Sequence, residues 1–201
     1  MNATLPAPPI LMLVTDPSIP DLAARAAAGI DGGANMVRIR PAGPWRDEHT
    51  ELLRSLRRRG TPAVIICPAD APEEALAVAD GVHLAEDALY PGEMPPGALV
   101  GRSTHGERVG DAERLDYAVF GTVFASATHP GGRAAGIDAL KRACQALSPL
   151  PVLAIGGVTA VNAAECVRAG AAGAAAIRSV LLADDPAKAA ADIIQAMREA
   201  I

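Results

Sequence analysis

The feature that most constrains the fold of this chain is an alternation, repeated eight times, of a short apolar run with a longer amphipathic or polar stretch. Short apolar runs bounded by turn residues are typical of strands that are buried on both faces of a sheet. The predicted strands are 10–14, 36–40, 63–67, 82–85, 99–103, 117–124, 152–155 and 174–178. Strands that alternate with helices pair in parallel through right-handed crossovers, so an α/β fold is predicted.

Most of the intervening stretches have helical patterns. The predicted helices are 21–30, 46–58, 72–79, 106–114, 137–147, 160–169 and 186–201, whereas 90–97 is a proline-rich connection with little helical signal. Eight strands in 201 residues favour closure into a single (β/α)8 TIM barrel that occupies residues 1–201. An open doubly wound sheet is the alternative, and the lack of G-x-G-x-x-G after the first strand weighs against its dinucleotide-binding form.

Composition excludes several classes of partner. Aromatic residues make up 2% of the chain and the net charge is −5, so no basic, base-stacking surface for nucleic acid is predicted. No apolar run reaches the roughly 18–20 residues of a membrane span, and the first residues lack the basic and apolar regions of a signal peptide. The three cysteines are too widely spaced for a disulfide framework or a zinc site. We therefore expect a cytoplasmic protein without membrane contact, and a homo-oligomer stays open.

The ends of the last two predicted strands indicate a phosphate site. Gly156-Gly157 follows the seventh strand, and Arg178-Ser179 closes the eighth. Barrels of this kind commonly bind phosphate after strands seven and eight, where glycines let the backbone approach an anion. The alternative is that Gly156-Gly157 only turns the chain into a helix capped by Thr159.

The connection 124–136 is long for a compact domain and carries hydroxyls, a histidine, an arginine and four glycines. Loops of this length are usually functional or disordered. We interpret it as a lid over the ligand, and a plain surface loop is the alternative.

The histidines differ in their expected roles. His105, at the end of the fifth strand, is the best placed for proton transfer because imidazole titrates near neutral pH. A helix-capping or structural role is its alternative. His83 lies mid-strand and is expected to be packed, and His49 lies among charges on a helix and is expected to be solvated.

Arg38 and Arg40 are two residues apart on one strand and so share a face. If that face lines the barrel mouth, each charge needs a partner. The candidates are a ligand phosphate or an acid such as Asp16 or Asp87, and a structural ion pair is the alternative.

Several segments resemble the thiamine phosphate synthase/TenI superfamily, over nearly the whole chain. The main ones are Gly-Arg-Ser-Thr-His at 101–105, Asp-Tyr-Ala-Val-Phe-Gly-Thr-Val-Phe at 116–124 and Ala-Ile-Gly-Gly-Val-Thr at 154–159, with shorter matches at 37–40, 82–84 and 170–173. The resemblance implies a (β/α)8 barrel that acts in thiamine biosynthesis. The family's synthases join an aminopyrimidine diphosphate to a thiazole phosphate and release pyrophosphate with Mg²⁺, whereas the TenI branch includes metal-free tautomerases of a thiazole carboxylate phosphate.

The chain departs from the synthase pattern on strands two to four and in the loop. The arginine of Gln-x-Arg-x-Lys is Arg40, and its lysine is replaced by Ala42. The Asn-Asp pair that ends strand three is replaced by Cys67-Pro68, the second magnesium aspartate by Ala88, and the loop motif Thr-x-Thr-Lys by Ser-Ala-Thr-His at 126–129. Losing both carboxylates removes the oxygen cage of a hard cation.

The spelling of 101–103 and of 120–121 is closer to the TenI branch. The histidine that tautomerases can carry on strand six is Thr122 here, so His105 or His129 is expected to act as the base. The expected catalytic residues are therefore His105, His129 and Thr122. The expected substrate-binding residues are Arg40, Ser103, Ser126, Thr128, Gly136, Gly156, Gly157, Arg178 and Ser179.

Three functions are compatible with these residues and with the resemblance. The first is a TenI-type enzyme that binds a thiazole phosphate and transfers a proton, with no cofactor and no metal ligand. The second is a thiamine phosphate synthase that uses Mg²⁺ through relocated ligands, with Asp16 and Asp87 as candidates. The third is a non-catalytic protein that binds the phosphorylated thiazole.

Overall fold

The structure is a closed barrel of eight parallel strands in chain order, with β1 paired to both β2 and β8. It is a computed structural model that describes residues 3–92, 94, 96–125 and 134–201. The strands are β1 (Ile10–Val14), β2 (Met36–Arg38), β3 (Val64–Pro68), β4 (Gly81–Leu84), β5 (Leu99–Thr104), β6 (Tyr117–Gly121), β7 (Val152–Ile155) and β8 (Gly173–Ala176). The predicted TIM barrel is thus confirmed.

The helices lie between the strands but not in every interval. They are α1 (Leu22–Asp31), α2 (Asp47–Arg58), α3 (Glu73–Leu76), α4 (Ile137–Leu147), α5 (Ala163–Arg168), α6 (Arg178–Leu181) and α7 (Pro186–Arg198). In the described part of 85–98 no helix follows β4, as the proline-rich composition indicates.

Several predicted boundaries were wrong: the strands predicted at 36–40 and 117–124 end at Arg38 and Gly121, and the helices predicted at 72–79 and 160–169 are shorter. The expected helix 106–114 is reduced to a 3-10 turn at Ala112–Arg114, because the Thr104 hydroxyl donates to the backbone carbonyl of Arg108 at 2.9 Å and holds a turn there. The eighth strand ends at Ala176, and Arg178 begins α6 instead of closing the strand.

The barrel interior is aliphatic, as the low aromatic content predicts. Its buried cluster includes Met12, Met36, Ile66 and Leu153, and a second, larger cluster packs the helices against the outside of the strands. The ring of Tyr117 fits inside the barrel because its neighbour in the barrel wall has no side chain. A Cβ on Gly101 would lie 2.0 Å from the Tyr117 ring.

The prediction that His49 is solvated was wrong. His49 is buried at 5% exposure, its Nδ1 accepts from the backbone N–H of Arg46 at 2.9 Å, and its ring packs 5.3 Å from the Trp45 ring. The imidazole occupies the place of a capping side chain at the start of α2. Local charge misled the prediction, because the histidine lies on the inward face of an otherwise charged helix.

Across the described residues, no helix combines the length and apolarity that a membrane crossing requires.

Candidate active site

A pocket of about 480 Å³ opens at the carboxyl ends of the strands. β2, β5, β6, β7 and β8, or the turns that follow them, contribute to it. The predicted site residues that line it are Arg40, Ser103, His105, Thr122, Gly156, Gly157, Arg178 and Ser179. The barrel therefore brings together residues that are up to 139 positions apart in sequence (40 and 179).

Four predicted residues are not among these. Gly136 lies at the start of α4, outside the pocket lining, where its N–H donates to the carbonyl of Val123 at 3.0 Å. Ser126, Thr128 and His129 lie outside the described residues, and so does most of the predicted lid.

The turn after β7 presents backbone to the pocket. Gly156 and Gly157 have φ values of +101° and +64°, which favour glycine. A Cβ on Gly156 would lie 2.4 Å from the Thr122 Cγ2, and one on Gly157 would lie 2.5 Å from the carbonyl oxygen of Ala125. Both positions thus require glycine for conformation and for space.

Asn162 fixes the shape of this turn. Its side-chain oxygen accepts from the N–H of Thr159 at 2.8 Å, and its side-chain amide donates to the carbonyl of Gly157 at 3.0 Å. The N–H groups of Gly157 and Val158 have no hydrogen-bond acceptor within the described ranges. They are therefore available to an anion.

The turn after β8 adds a second set of donors. Arg178 and Ser179 are the first two residues of α6, so their N–H groups have no acceptor inside the helix. Both residues line the pocket beside the β7 turn. Two neighbouring turns with free amides form the arrangement in which barrels bind phosphate.

Positive side chains surround these amides. The Arg40 guanidinium lies 3.7 Å from the Asp16 carboxylate, and its backbone N–H donates to the Thr15 hydroxyl at 2.9 Å. Burial alone would raise the pKa of Asp16, but hydrogen bonds from Ser18 and the charges of Arg40 and Arg178 outweigh it and lower that pKa. Asp16 thus stays ionised and offsets part of the positive charge.

His105 is held at the pocket edge by Glu86. Its Nδ1 lies 2.5 Å from one carboxylate oxygen of Glu86, and its backbone N–H donates to the other at 2.8 Å. Those two hydrogen bonds from His105 lower the pKa of Glu86. Since the carboxylate is an acceptor, the Nδ1 of His105 carries a proton, and in the neutral form of the ring the lone pair is on Nε2.

Ser103 lines the pocket and is the first member of a buried chain of polar contacts. Its hydroxyl lies 2.9 Å from the Nε2 of His83, whose Nδ1 lies 3.2 Å from the Tyr117 hydroxyl. Burial, followed by the charges of Arg38 and Arg102, lowers the pKa of His83 well below its usual value. His83 is packed, as predicted, and its lowered pKa makes it neutral.

The magnesium ion implied by the resemblance does not fit the described residues. Within 3–92, 94, 96–125 and 134–201, no three acidic, histidine or cysteine side chains come together as a cation site. Cys67 is buried, and burial raises the pKa of its thiol to about 12. Pro68 and Ala88 offer no side-chain oxygen, and Glu86 is engaged by His105. We therefore derive no catalytic step through Mg²⁺.

Sequence reasoning missed one feature of the site. The partnership of Glu86 with His105 joins the ends of two neighbouring strands, and only the position of Glu86 at a strand end hinted at it. Arg38 and Arg40 both line the pocket, as expected if their shared face lines the barrel mouth, but among the described residues only Arg40 has an acidic partner.

Known proteins resemble the chain along most of its length. Residues 11–180 match the family described as thiamine monophosphate synthase. The thiamine-phosphate synthase of Chlorobium luteolum is 36% identical over 207 residues, which cover 96% of this chain and 94% of that protein. A thiamine biosynthesis bifunctional protein, ThiED of Geobacter sulfurreducens, is 37% identical over 91% of this chain, which spans only 39% of that longer protein.

A solved structure agrees with the sequence relatives. The thiamine phosphate pyrophosphorylase of Pyrococcus furiosus superposes with a TM-score of 0.79 at 28% identity, covering 96% of each chain. The structural comparison and the sequence comparisons thus point to the same family. This chain therefore belongs to the thiamine monophosphate synthase family, the superfamily of thiamine phosphate synthase and TenI, and so to a family of thiamine biosynthesis.

Proposed function

We propose that this protein is an enzyme of the thiamine-phosphate synthase type, which binds a thiazole phosphate and joins it to an aminopyrimidine diphosphate. The observation that carries the proposal is a single pocket that is lined both by the turns after β7 and β8, with their free amides, and by Arg38, Arg40 and Arg178. The identity to a synthase over nearly the whole chain supports it and favours this hypothesis over the TenI-type one.

The pocket suits two phosphorylated substrates. The N–H groups of Gly157, Val158 and Ser179 would bind the thiazole phosphate. Backbone N–H groups at such turns form hydrogen bonds to an anion and need no charged side chain. Arg40 and Arg178 would attract the diphosphate. In the reaction the thiazole nitrogen bonds to the pyrimidine methylene carbon as the bond from that carbon to the diphosphate oxygen breaks. Pyrophosphate leaves with the bonding electrons, and the arginines offset its growing charge.

The direct test mixes the purified protein with both substrates, with and without Mg²⁺, and measures thiamine phosphate and pyrophosphate. We expect both products in equal amounts. A Gly157→Ala variant should form both far more slowly, because its Cβ meets the backbone of Ala125 and the thiazole phosphate binds more weakly. Equal rates in the variant and the wild type, or no product with any divalent cation, would refute the synthase proposal.

Proton transfer on a thiazole phosphate is the second candidate, and the Glu86–His105 pair favours it. The carboxylate holds the ring so that Nε2 can accept a proton, which is the arrangement of a general base. No metal is needed for this step. Incubating a thiazole carboxylate phosphate alone, with a chelator, and following its tautomerisation tests this activity.

One variant tests the second candidate. His105→Gln should abolish tautomerisation and leave the binding of the thiazole phosphate unchanged. Tight binding with no turnover in either assay would instead assign the protein to the non-catalytic binders.

A further inference from the structure

Arg38 lies at the floor of the pocket, inside the barrel. It ends β2, two residues after Met36, whose side chain belongs to the interior cluster. Residues two apart on a strand point to the same side, so Arg38 also points inward. Its strand neighbours in register are Val14 and Ile66, both interior and apolar.

The guanidinium has no acidic partner among the described residues. Its Nε is shielded from solvent and makes no hydrogen bond to them. Besides burial, the charge of Arg40, which has the same sign, acts on Arg38 and lowers its pKa. The phenol of Tyr117 is neutral, because burial raises its pKa. Burial lowers the pKa of Arg38 to about 10, so the group remains cationic at neutral pH.

Arg102 shows how this chain buries another arginine. It is 3% exposed and lies on the opposite, outer face of the barrel wall, since its register partners Leu84 and Ala118 belong to the outer cluster. Its guanidinium donates to the carbonyls of Glu86 and Ala88 at 3.0 and 2.7 Å and to the Asp111 carboxylate at 3.1 Å. Arg102 thus ties two loops together, whereas Arg38 ties no described segments and opens onto the pocket.

A half-buried guanidinium whose Nε is shielded and which has no anion costs folding free energy, and an anionic ligand in the pocket would supply the missing charge. We infer that Arg38 marks a second anion subsite at the pocket floor, so that the site takes, besides the phosphate at the β7 and β8 turns, a further anionic group presented to Arg38. This inference rests on the proposed function for the phosphate end.

The chemistry of the group follows from the guanidinium. Its planar fork binds two oxygens of one carboxylate or phosphate in parallel. Two sources of such oxygens exist within the proposed function, a carboxylate on the thiazole ring and the diphosphate of the aminopyrimidine. Ligand binding by calorimetry distinguishes them.

The experiment compares the wild type with Arg38→Met, which keeps the bulk and removes the charge. The ligands are thiazole phosphate, the same compound with a ring carboxylate, and pyrophosphate added to protein saturated with thiazole phosphate. Arg38→Met should weaken either the carboxylated thiazole or the pyrophosphate about 10- to 100-fold and leave plain thiazole phosphate unchanged. Arg38→Lys should restore only part of the affinity, because ammonium lacks the fork.

Thermal unfolding without ligand supplies the readout that a structural role would not give. Arg38→Met should raise Tm by about 3 °C or more, whereas the matched control Arg102→Met should lower it. A lower Tm for Arg38→Met, failure of both Arg38→Met and Arg38→Gln to fold, or equal loss for all three ligands would overturn the subsite. If plain thiazole phosphate does not bind the wild type but a carboxylate still binds in an Arg38-dependent way, the proposed function fails and the subsite stands.

Discussion

The two sides of the barrel mouth differ in what carries their chemistry. On the β7–β8 side, Gly156, Gly157 and the first residues of α6 offer backbone amides. On the β3–β4 side, where the family's synthases carry magnesium ligands, the chain has a buried thiol at Cys67, a proline and an alanine. The difference teaches that binding by backbone needs only small residues and a turn, whereas catalysis by side chains is lost or changed by single substitutions.

The largest effect is expected on the β7–β8 side. Gly157→Ala forces a side chain into φ +64° and within 2.5 Å of the Ala125 carbonyl oxygen, so the turn must move. We expect affinity for thiazole phosphate to fall about 100-fold or more, because several N–H groups would no longer point at the phosphate. Calorimetric titration measures this change.

Gly60→Ala is the matched control, because Gly60 has φ +68° but open space around it, at the end of α2. It should lower stability by about 1 kcal/mol and leave affinity unchanged. Equal affinity losses in both variants would show that the loss is not specific to the β7 turn.

The next largest effect should come from rebuilding the β3–β4 side. A Pro68→Asp/Ala88→Asp variant returns two carboxylates to the positions that match the family's magnesium aspartates. If that side lacks only oxygen ligands, Mg²⁺ should raise the coupling rate about 30-fold over the wild type, because Mg²⁺ is usually bound by one or two carboxylates together with substrate phosphates.

The neutral variant Pro68→Asn/Ala88→Asn controls for shape and should show no such rise. A wild-type rate that already depends fully on Mg²⁺ would show that the β3–β4 side is not the deficient one.

A smaller, opposite effect is expected at the Glu86–His105 pair. Glu86→Gln removes the carboxylate that orients the imidazole, so kcat for proton transfer should fall about tenfold while KM stays the same. Steady-state kinetics on the thiazole carboxylate phosphate separates the two constants. A change in KM alone would show that Glu86 contributes to substrate binding and not to catalysis.

The smallest effect concerns acid stability. His105 lowers the pKa of Glu86 below its ordinary value near 4.5, so their pairing stabilises the fold fully above that pH and is lost as pH falls through the lowered pKa. Because both side chains are exposed, the Tm of the wild type should exceed that of Glu86→Gln by only about 1–2 °C near neutral pH. The difference should disappear as the pH falls through the lowered pKa of Glu86, and a difference that grows on acidification would contradict the assignment.

Much of the barrel and its phosphate end could be predicted from local pattern. The periods of apolar residues place all eight strands, and 137–147 and 152–155 agree with α4 and β7 to the residue. Gly156-Gly157 could be recognised because glycine pairs after a buried strand have a narrow set of uses.

The predictions that failed depended on contacts between distant segments or on side-chain bonds that override local pattern. The charged surroundings of His49 in sequence hide a buried face that packs on Trp45. The segment 106–114 has a helical pattern but forms no α-helix, because Thr104 donates a hydrogen bond to the backbone carbonyl of Arg108. Local propensity is a weak force beside such contacts.

The sequence by itself determined the order of the strands, the aliphatic core and the glycine turn at the phosphate end, because these follow from short-range periodicity and from glycine. Only the tertiary structure decided that Glu86 pairs with His105 and Asp16 with Arg40. It also decided that Arg38 has no acidic partner among the described residues. The physical reason is that charge pairing in a closed barrel depends on strand register and on which face each side chain takes. The order of residues along the chain does not contain that geometry.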